Sequence, residues 1–276
     1  MRPANVAARL KSVLVRSVVR LRRFRLGHSL ARGAAAFVSG FENRANYHID
    51  ANGETELVRR LAAFDPLVVF DVGANVGEWS CLAAAELTGS KVYSFEPVPE
   101  TATQLRGGTR ELGDRVEVHQ VALGRSTERR HLSIEADRSA FVSLLDPADP
   151  NSNTSIVVDV ITGDDFCDGR NINHIDLLKI DAEGFDYFVL AGFDQMLRRQ
   201  SVDVIQFEYG IWALGTKWLL YDFYEMLEGF GYCVGKLYPR GVAFGTYDVR
   251  LEDFKGLNFV AVSNLRPDII AAISEA

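Results

Sequence analysis

A mainly parallel α/β sheet covered by helices on both faces is the fold this sequence predicts, and three observations predict it. From residue 52 onward, short continuously apolar runs of strand length alternate with amphipathic stretches of helix length. Four of those runs lead directly into an acidic residue, at Asp71, Glu96, Asp181 and Glu208. A glycine-bearing loop also joins the first run straight to a helix, the connection typical of a ligand-binding open sheet.

The elements follow in order. Asn52-Gly53 reads as a turn, and Glu54 to Phe64 as a helix closed by Asp65-Pro66. Leu67 to Phe70 is the first strand, apolar throughout because parallel strands are buried on both faces. Val76 to Leu87 is a helix, Lys91 to Phe95 the second strand, Thr101 to Leu112 a helix and Val116 to Val121 the third strand. Arg130 to Ile161 breaks the rhythm. It alternates, carries turn signals at Asp146-Pro147 and Asp149-Pro150, and predicts antiparallel strands or an excursion. The pattern resumes with a strand at Ile175 to Ile180, a helix through 185–198, a strand at Val202 to Phe207 and a helix at Leu219 to Phe230. Tyr232 to Leu237 and Phe259 to Val262 close a sheet of seven strands, with one antiparallel strand expected at its edge.

Composition narrows the class. The chain has 276 residues, 47% of them hydrophobic, enough for one large domain with an appendage. Cys81, Cys167 and Cys233 stand far apart without a C-x-x-C pair, so a disulfide framework or cysteine-rich zinc site is not expected. They read as small buried hydrophobes in a reducing, cytoplasmic setting. No apolar run is long enough for a transmembrane helix, and arginines interrupt every candidate secretory core near the start.

Charge divides the chain. Residues 1–40 hold nine basic side chains and no acidic one, so residues 41–276 carry −16 of the net −7. An acidic body does not suit nucleic acid, whose phosphates require a basic face. Val6, Leu10, Val13, Leu14, Leu21 and Phe24 share one face of a helical wheel, flanked by Arg9, Arg16, Arg20 and Arg23. Such a helix either rests on anionic lipid, as a peripheral membrane contact, or packs on the domain or a second subunit of a homo-oligomer. Gly33 to Gly40 reads as a hinge or the start of the main domain, which sets residues 1–40 apart from a domain at 41–276.

The chemistry concentrates in Asp71-Val72-Gly73-Ala74-Asn75-Val76-Gly77. Its glycines let the backbone turn sharply and approach a ligand. A dinucleotide fold requires G-x-G-x-x-G to seat a pyrophosphate, whereas this loop has G-x-x-x-G led by Asp71. A carboxylate there suits a ligand that carries an ammonium and a sulfonium, as S-adenosylmethionine does. Glu96, 19 residues beyond Gly77 and followed by Pro97, is placed to accept hydrogen bonds from ribose hydroxyls. Adenine contacts are expected from Val121 and Ala122 or from apolar packing. The cofactor set is therefore Asp71, Gly73, Ala74, Asn75, Gly77, Glu96, Pro97 and Ala122.

Three carboxylates stand where an acceptor would lie. Asp181 ends the fourth strand, Glu183 follows it and Glu208 ends the fifth, with Asp181 the first choice as base. No metal ligand is assigned; magnesium held by Asp181 stays open. Lys179, inside an apolar strand, needs a salt bridge to Asp181, Glu183 or Glu208. His174 falls at the far end of the sheet, His119 reads as a core residue, and His48 as a candidate to face the pocket. Tyr209, Trp212, Trp218, Tyr221, Phe223 and Tyr224 offer either core packing or a wall for sugar faces.

Taken together, Phe70–Gly77, Phe95-Glu96-Pro97, Ala122-Leu123-Gly124, Ile175–Gly184, Gln206–Tyr209 and Asn258–Val262 resemble the FkbM family of methyltransferases. The resemblance spans residues 50 to 263. It implies a Rossmann-like class I methyltransferase fold and methyl transfer from S-adenosylmethionine to a hydroxyl of a carbohydrate, glycolipid or glycosylated metabolite. The alternatives are a nicotinamide-dependent oxidoreductase or a non-catalytic nucleoside-binding module.

Overall fold

A computed structural model describes residues 15, 17–134, 142–143, 155–256 and 258–275. The chain divides into two compact units, residues 1–44 and 45–276.

In the first unit, Leu21–Arg23 form a 3₁₀ turn and Phe24 is extended (φ −113°, ψ 140°), followed by helix α1 (Arg25–Phe41). This corrects two expectations. Phe24 interrupts the helical wheel instead of sharing it, and Gly33 to Gly40 is no hinge. Its alanines favour helix enough to carry Gly33 along. Val6, Leu10, Val13 and Leu14 lie outside the described residues.

The second unit is built on eight strands: β1 (Val68–Val72), β2 (Lys91–Phe95), β3 (Val116–His119), β8 (Ile175–Ile180), β9 (Val202–Glu208), β10 (Tyr232–Tyr238), β11 (Gly241–Phe244) and β12 (Asn258–Ser263). Their order is β11-β10-β12-β9-β8-β1-β2-β3. The run from β3 through β1 to β8 and β9 is parallel throughout, while β12 is antiparallel to both β9 and β10. Of the expected closing pair the antiparallel strand, β12, is interior, and β11, a strand beyond the seven expected, forms the edge antiparallel to β10. Strand order reverses at β1, which opens a crevice over the carboxyl ends of β1 and β8.

The irregular segment forms a separate sheet of β4 (Ala122–Leu123), β5 (Glu128–Ile134), β6 (Val142–Ser143) and β7 (Ser155–Ile161), ordered β4-β7-β5-β6. Its β5–β7 pair is antiparallel, as the alternation predicts. The third strand stops at His119, two residues early, because Ala122 and Leu123 pair with β7. Asp146-Pro147 and Asp149-Pro150 lie outside the described residues.

Helices cover both faces. α2 (Glu54–Leu61), α3 (Glu78–Glu86) and α10 (Pro267–Ile273) bury apolar residues on the face that carries Val69, Leu177, Val204, Val260 and Val262. α4 (Pro99–Gly108) follows β2, and the short α8 (Ala213–Thr216) follows β9. α5 (Gly163–Arg170), α6 (Asp186–Ala191), α7 (Asp194–Arg198) and α9 (Leu220–Gly229) contribute to the other core, with Phe70, Leu178, Ile180, Ile205 and Phe207. The helix expected over 185–198 is two helices. A side chain at Gly192, between them, would meet the Gly124 carbonyl oxygen at 2.1 Å, so the backbones approach too closely for one continuous amphipathic rod.

On the first of these faces the pleat aligns a polar row instead of an apolar one. Asp71 pairs in register with Lys179, and Lys179 with Gln206. Gln206 donates to Glu54 Oε2 at 2.7 Å and to Asn258 Oδ1 at 3.0 Å, and Asn52 donates to Glu54 Oε1 at 2.6 Å. All six are buried. Buried polar groups of this kind are tolerated because most of their atoms satisfy one another; among the described residues Gln206 Oε1 is left without a hydrogen-bond partner.

Candidate active site

A cleft of about 770 Å³, its open mouth included, lies at the carboxyl ends of β1, β2 and β8. Gly73, Asn75, Glu96, Pro97 and Ala122 line it, as do Asp181 and Glu183. Residues singled out for the cofactor and for the acceptor thus line one cleft.

The glycine loop is held against β2 by backbone bonds. Gly73 N and Ala74 N both donate to the Phe95 carbonyl at 3.0 Å. Gly73 has φ +79°, and a Cβ there would meet the Asp181 carbonyl oxygen at 1.9 Å. Gly73→Ala should consequently cost stability, about 1–3 kcal/mol from the left-handed backbone alone. It should also weaken S-adenosylhomocysteine binding at least tenfold, equivalent to about 1.4 kcal/mol. Calorimetry on wild type and variant checks the second effect; equal affinities would remove this loop from the ligand site.

Three of the expected cofactor residues do not line the cleft, and each has a packing reason. Asp71 is fully buried. Ser80 Oγ donates to its Oδ2 at 2.6 Å, and Lys179 Nζ lies 3.2 Å from its Oδ1. Its charge is balanced inside the protein by Lys179. Ala74 is buried behind the loop. Gly77, at φ +96°, leaves room for Leu105, whose Cδ1 would sit 2.5 Å from an added Cβ.

Glu96 does face the cleft. One oxygen accepts from Asn75 N at 3.1 Å and the other from Val98 N at 2.9 Å. Burial raises its carboxyl above the usual range, and these two N–H groups partly offset that. Around it Phe95, Val98, Val121, Leu123 and Leu132 form an apolar wall. A polar strand-end acceptor beside an apolar wall is the chemistry that a nucleoside's ribose and base require. Leu132 could not be foreseen, since it arrives from β5 in the second sheet.

At the other end Asp181 is open, its side chain 43% exposed, and Lys179 Nζ lies 3.3 Å from its Oδ2. Lys179 thus finds Asp181, as expected, and also Asp71. Burial alone would lower its pKa, but Asp71, Asp181 and Glu54 together raise it, so it stays charged. Behind Asp181 stand two further acids. Glu208 does not line the cleft, but burial and the Asp181 and Asp186 carboxylates raise its pKa well above the usual range. Asp186 escaped the sequence reading. It is buried, accepts from Glu208 N and Gly184 N at 3.2 Å each, and is pushed up to about 7, first by burial and then by Asp181. It stands in the first turn of α6, where acids are common in any helix, so nothing in the sequence marks it. Glu183 lines the cleft at φ +48°, one residue before Gly184 at φ +92°.

The histidines and aromatics sort clearly. His119 is partly buried at the edge of the core, stacked on Phe95 at 5.3 Å and edge-on to Phe166 at 4.9 Å, and burial lowers its pKa. His48 does not line the cleft. His174 precedes β8, at the opposite end of that strand from Asp181. Among the described residues, the side chains close enough to share a metal ion are His174, Asp176 and Asp203. Arg266 already pairs with Asp203, and Asp176 Oδ2 accepts from Leu67 N and Val68 N, so this group is internally satisfied. None of the aromatics between Tyr209 and Tyr224 lines the cleft. Tyr209, Phe223 and Tyr224 are core, whereas Trp218 stacks on Tyr187 at 3.9 Å beside a second cavity.

A parallel sheet whose strand order reverses, with a G-x-x-x-G loop and a strand-end glutamate at the reversal, is a Rossmann-like class I methyltransferase fold. The sequence profile of the methyltransferase FkbM domain matches residues 71–233, more than half the chain, and the chain belongs to that family. This sets aside the nicotinamide-dependent alternative, and membership implies S-adenosylmethionine as methyl donor. One relative, the hexuronic acid methyltransferase AglP of Haloferax volcanii, is 26% identical over 59% of this chain and 65% of its own length. Another, the 31-O-demethyl-FK506 methyltransferase FkbM of Streptomyces tacrolimicus, is 29% identical over 46% of this chain and 59% of its own. The chain thus spans less than two thirds of either relative. A solved methyltransferase FkbM from Methylobacillus flagellatus superposes with a TM-score of 0.47 at 17% identity, over 71% of this chain and 44% of that one.

Proposed function

We propose that this chain methylates a hydroxyl oxygen of a carbohydrate or glycoconjugate, with Asp181 taking the hydroxyl proton. The observation that carries this reading is the carboxylate cluster at the ends of β8 and β9. Asp181 opens to the cleft while Asp186 and Glu208 stand behind it. A sugar hydroxyl is a poor nucleophile at neutral pH, and a positioned base assists its attack. The named action of AglP on a hexuronic acid supports a carbohydrate acceptor.

S-adenosylmethionine supplies the electrophilic methyl carbon. The chain's own residues supply the remainder: Glu96 and the apolar wall hold the nucleoside, and the Gly73–Asn75 backbone shapes the loop. Lys179 keeps Asp181 oriented, and Asp181 accepts the proton at a carboxylate oxygen. Most of the rate gain then comes from alignment of acceptor oxygen and methyl carbon. The three cysteines are unpaired, which supports a reducing, cytoplasmic setting.

The test uses isotopically labelled methyl donor with uronic acids, neutral sugars, lipid-linked glycans and macrolides as acceptors. Label in an O-methyl ether of a sugar is the expected result. Tight donor binding with label only on nitrogen or carbon would overturn the acceptor assignment.

A further inference from the structure

The N-terminal unit carries a surface that methyl transfer does not use. Helix α1 has no buried residue. Leu26, Leu30, Phe37 and Phe41 are each at least 58% exposed, and their spacing places them on one stripe. Phe37 and Phe41 stack at 6.3 Å along it. Arg25, His28, Arg32 and Ser39 fall on the opposite side. Immediately before the helix Val15, Val18, Val19, Leu21 and Phe24 are exposed as well. No acidic residue occurs before Glu42, against nine basic ones.

From this geometry and charge we infer that α1 and the basic segment before it lie on an anionic lipid surface. An amphipathic helix with a large apolar stripe buries that stripe at the headgroup boundary, and the basic segment that leads into it supplies the attraction to anionic headgroups. At 17 residues it would lie flat over about 26 Å. Among the described residues no helix is long and apolar enough to cross a membrane, so contact is peripheral. Charge selects this occupant over a second copy of the chain. Two such segments face to face would bring like charges together with no acidic partner in either, whereas phosphate headgroups complement every arginine. Residues 41–276 carry −16 and are repelled by the same headgroups, so the arm must supply the attraction.

Flotation of the full chain with phosphatidylcholine vesicles, with and without phosphatidylglycerol, tests the inference. Wild type should partition onto the anionic vesicles at least tenfold better, and salt should reverse this. Phe37→Asp/Phe41→Asp should abolish flotation. Arg22→Gln/Arg23→Gln/Arg25→Gln should weaken it about 100-fold, from roughly fivefold per basic residue near the surface. S-adenosylhomocysteine binding, measured in parallel, should stay unchanged in both variants, since these residues lie outside the cleft; the lipid result therefore stands or falls apart from the methyl-transfer reading. Wild type that stays at the bottom of the gradient with anionic vesicles overturns the inference. So does a wild-type dimer that Phe37→Asp/Phe41→Asp dissociates, which would assign the stripe to a second copy.

Discussion

Asp181→Asn is expected to lower kcat of methyl transfer by about 100- to 10,000-fold, the usual range for loss of a positioned base. Donor binding should change far less, because Glu96 and the apolar wall lie at the other end of the cleft. The pH profile carries the mechanism further. Asp186 is pushed up to about 7 and Glu208 is raised as well, so the cluster holds protons well into the neutral range. Rate should therefore rise with pH through about 7, the range in which Asp186 behind the cleft gives up its proton. Glu208→Gln removes one of the two carboxyls that hold protons into the neutral range. Its acidic limb should move to lower pH. A limb that stays in place in Glu208→Gln would separate Glu208 from the reacting proton.

The same groups set a stability slope of definite sign. A carboxyl raised in the folded state favours folding when protonated. That contribution is full below its unfolded value, near 4, and is lost as pH rises through about 7. Chemical denaturation at about pH 5 and about pH 8 should show wild type losing more stability than Asp186→Asn over that interval, a difference on the order of a few kcal/mol.

Lys179→Met should give the largest structural effect. The ammonium is buried between Asp71 and Asp181 and lies 5.8 Å from the centre of the Trp79 ring. Its removal leaves Asp71, fully buried, with an uncompensated charge, and breaking such a pair costs about 3–5 kcal/mol. The double variant Lys179→Met/Asp71→Asn removes both charges and leaves an oxygen to accept the Ser80 hydrogen bond. It should recover at least half the loss in urea denaturation. No recovery would mean that Lys179 acts through Asp181 or Glu54 instead.

Much of this site is legible along the chain because strand ends and glycine loops are local features. The G-x-x-x-G loop, Glu96 and Asp181 all stand at the cleft for that reason. Direction across the sheet is not local. Asp71 follows the apolar run of β1 and looks like a ligand contact, yet the pleat turns it into the face where Lys179 lies in register. Asp186 belongs to the cluster through the fold of the turn after β8, which composition does not reveal. The interior place of β12 was equally hidden, since a strand's neighbours are chosen by tertiary packing. Gly33 to Gly40 was misread because glycine punctuation outweighed the helix preference of the alanines between.

Leu132 gives the second sheet a part in ligand capture. That sheet buries a core of five residues with Val98, far smaller than the two cores flanking the main sheet. A nucleoside seated against Leu132 and Phe95 would touch both sheets at once and act as a rivet between them. Occupancy should therefore slow hydrogen exchange in β5 and β7 more than in β8 or β9, so the least reinforced part of the body is also the one that would register an arriving donor.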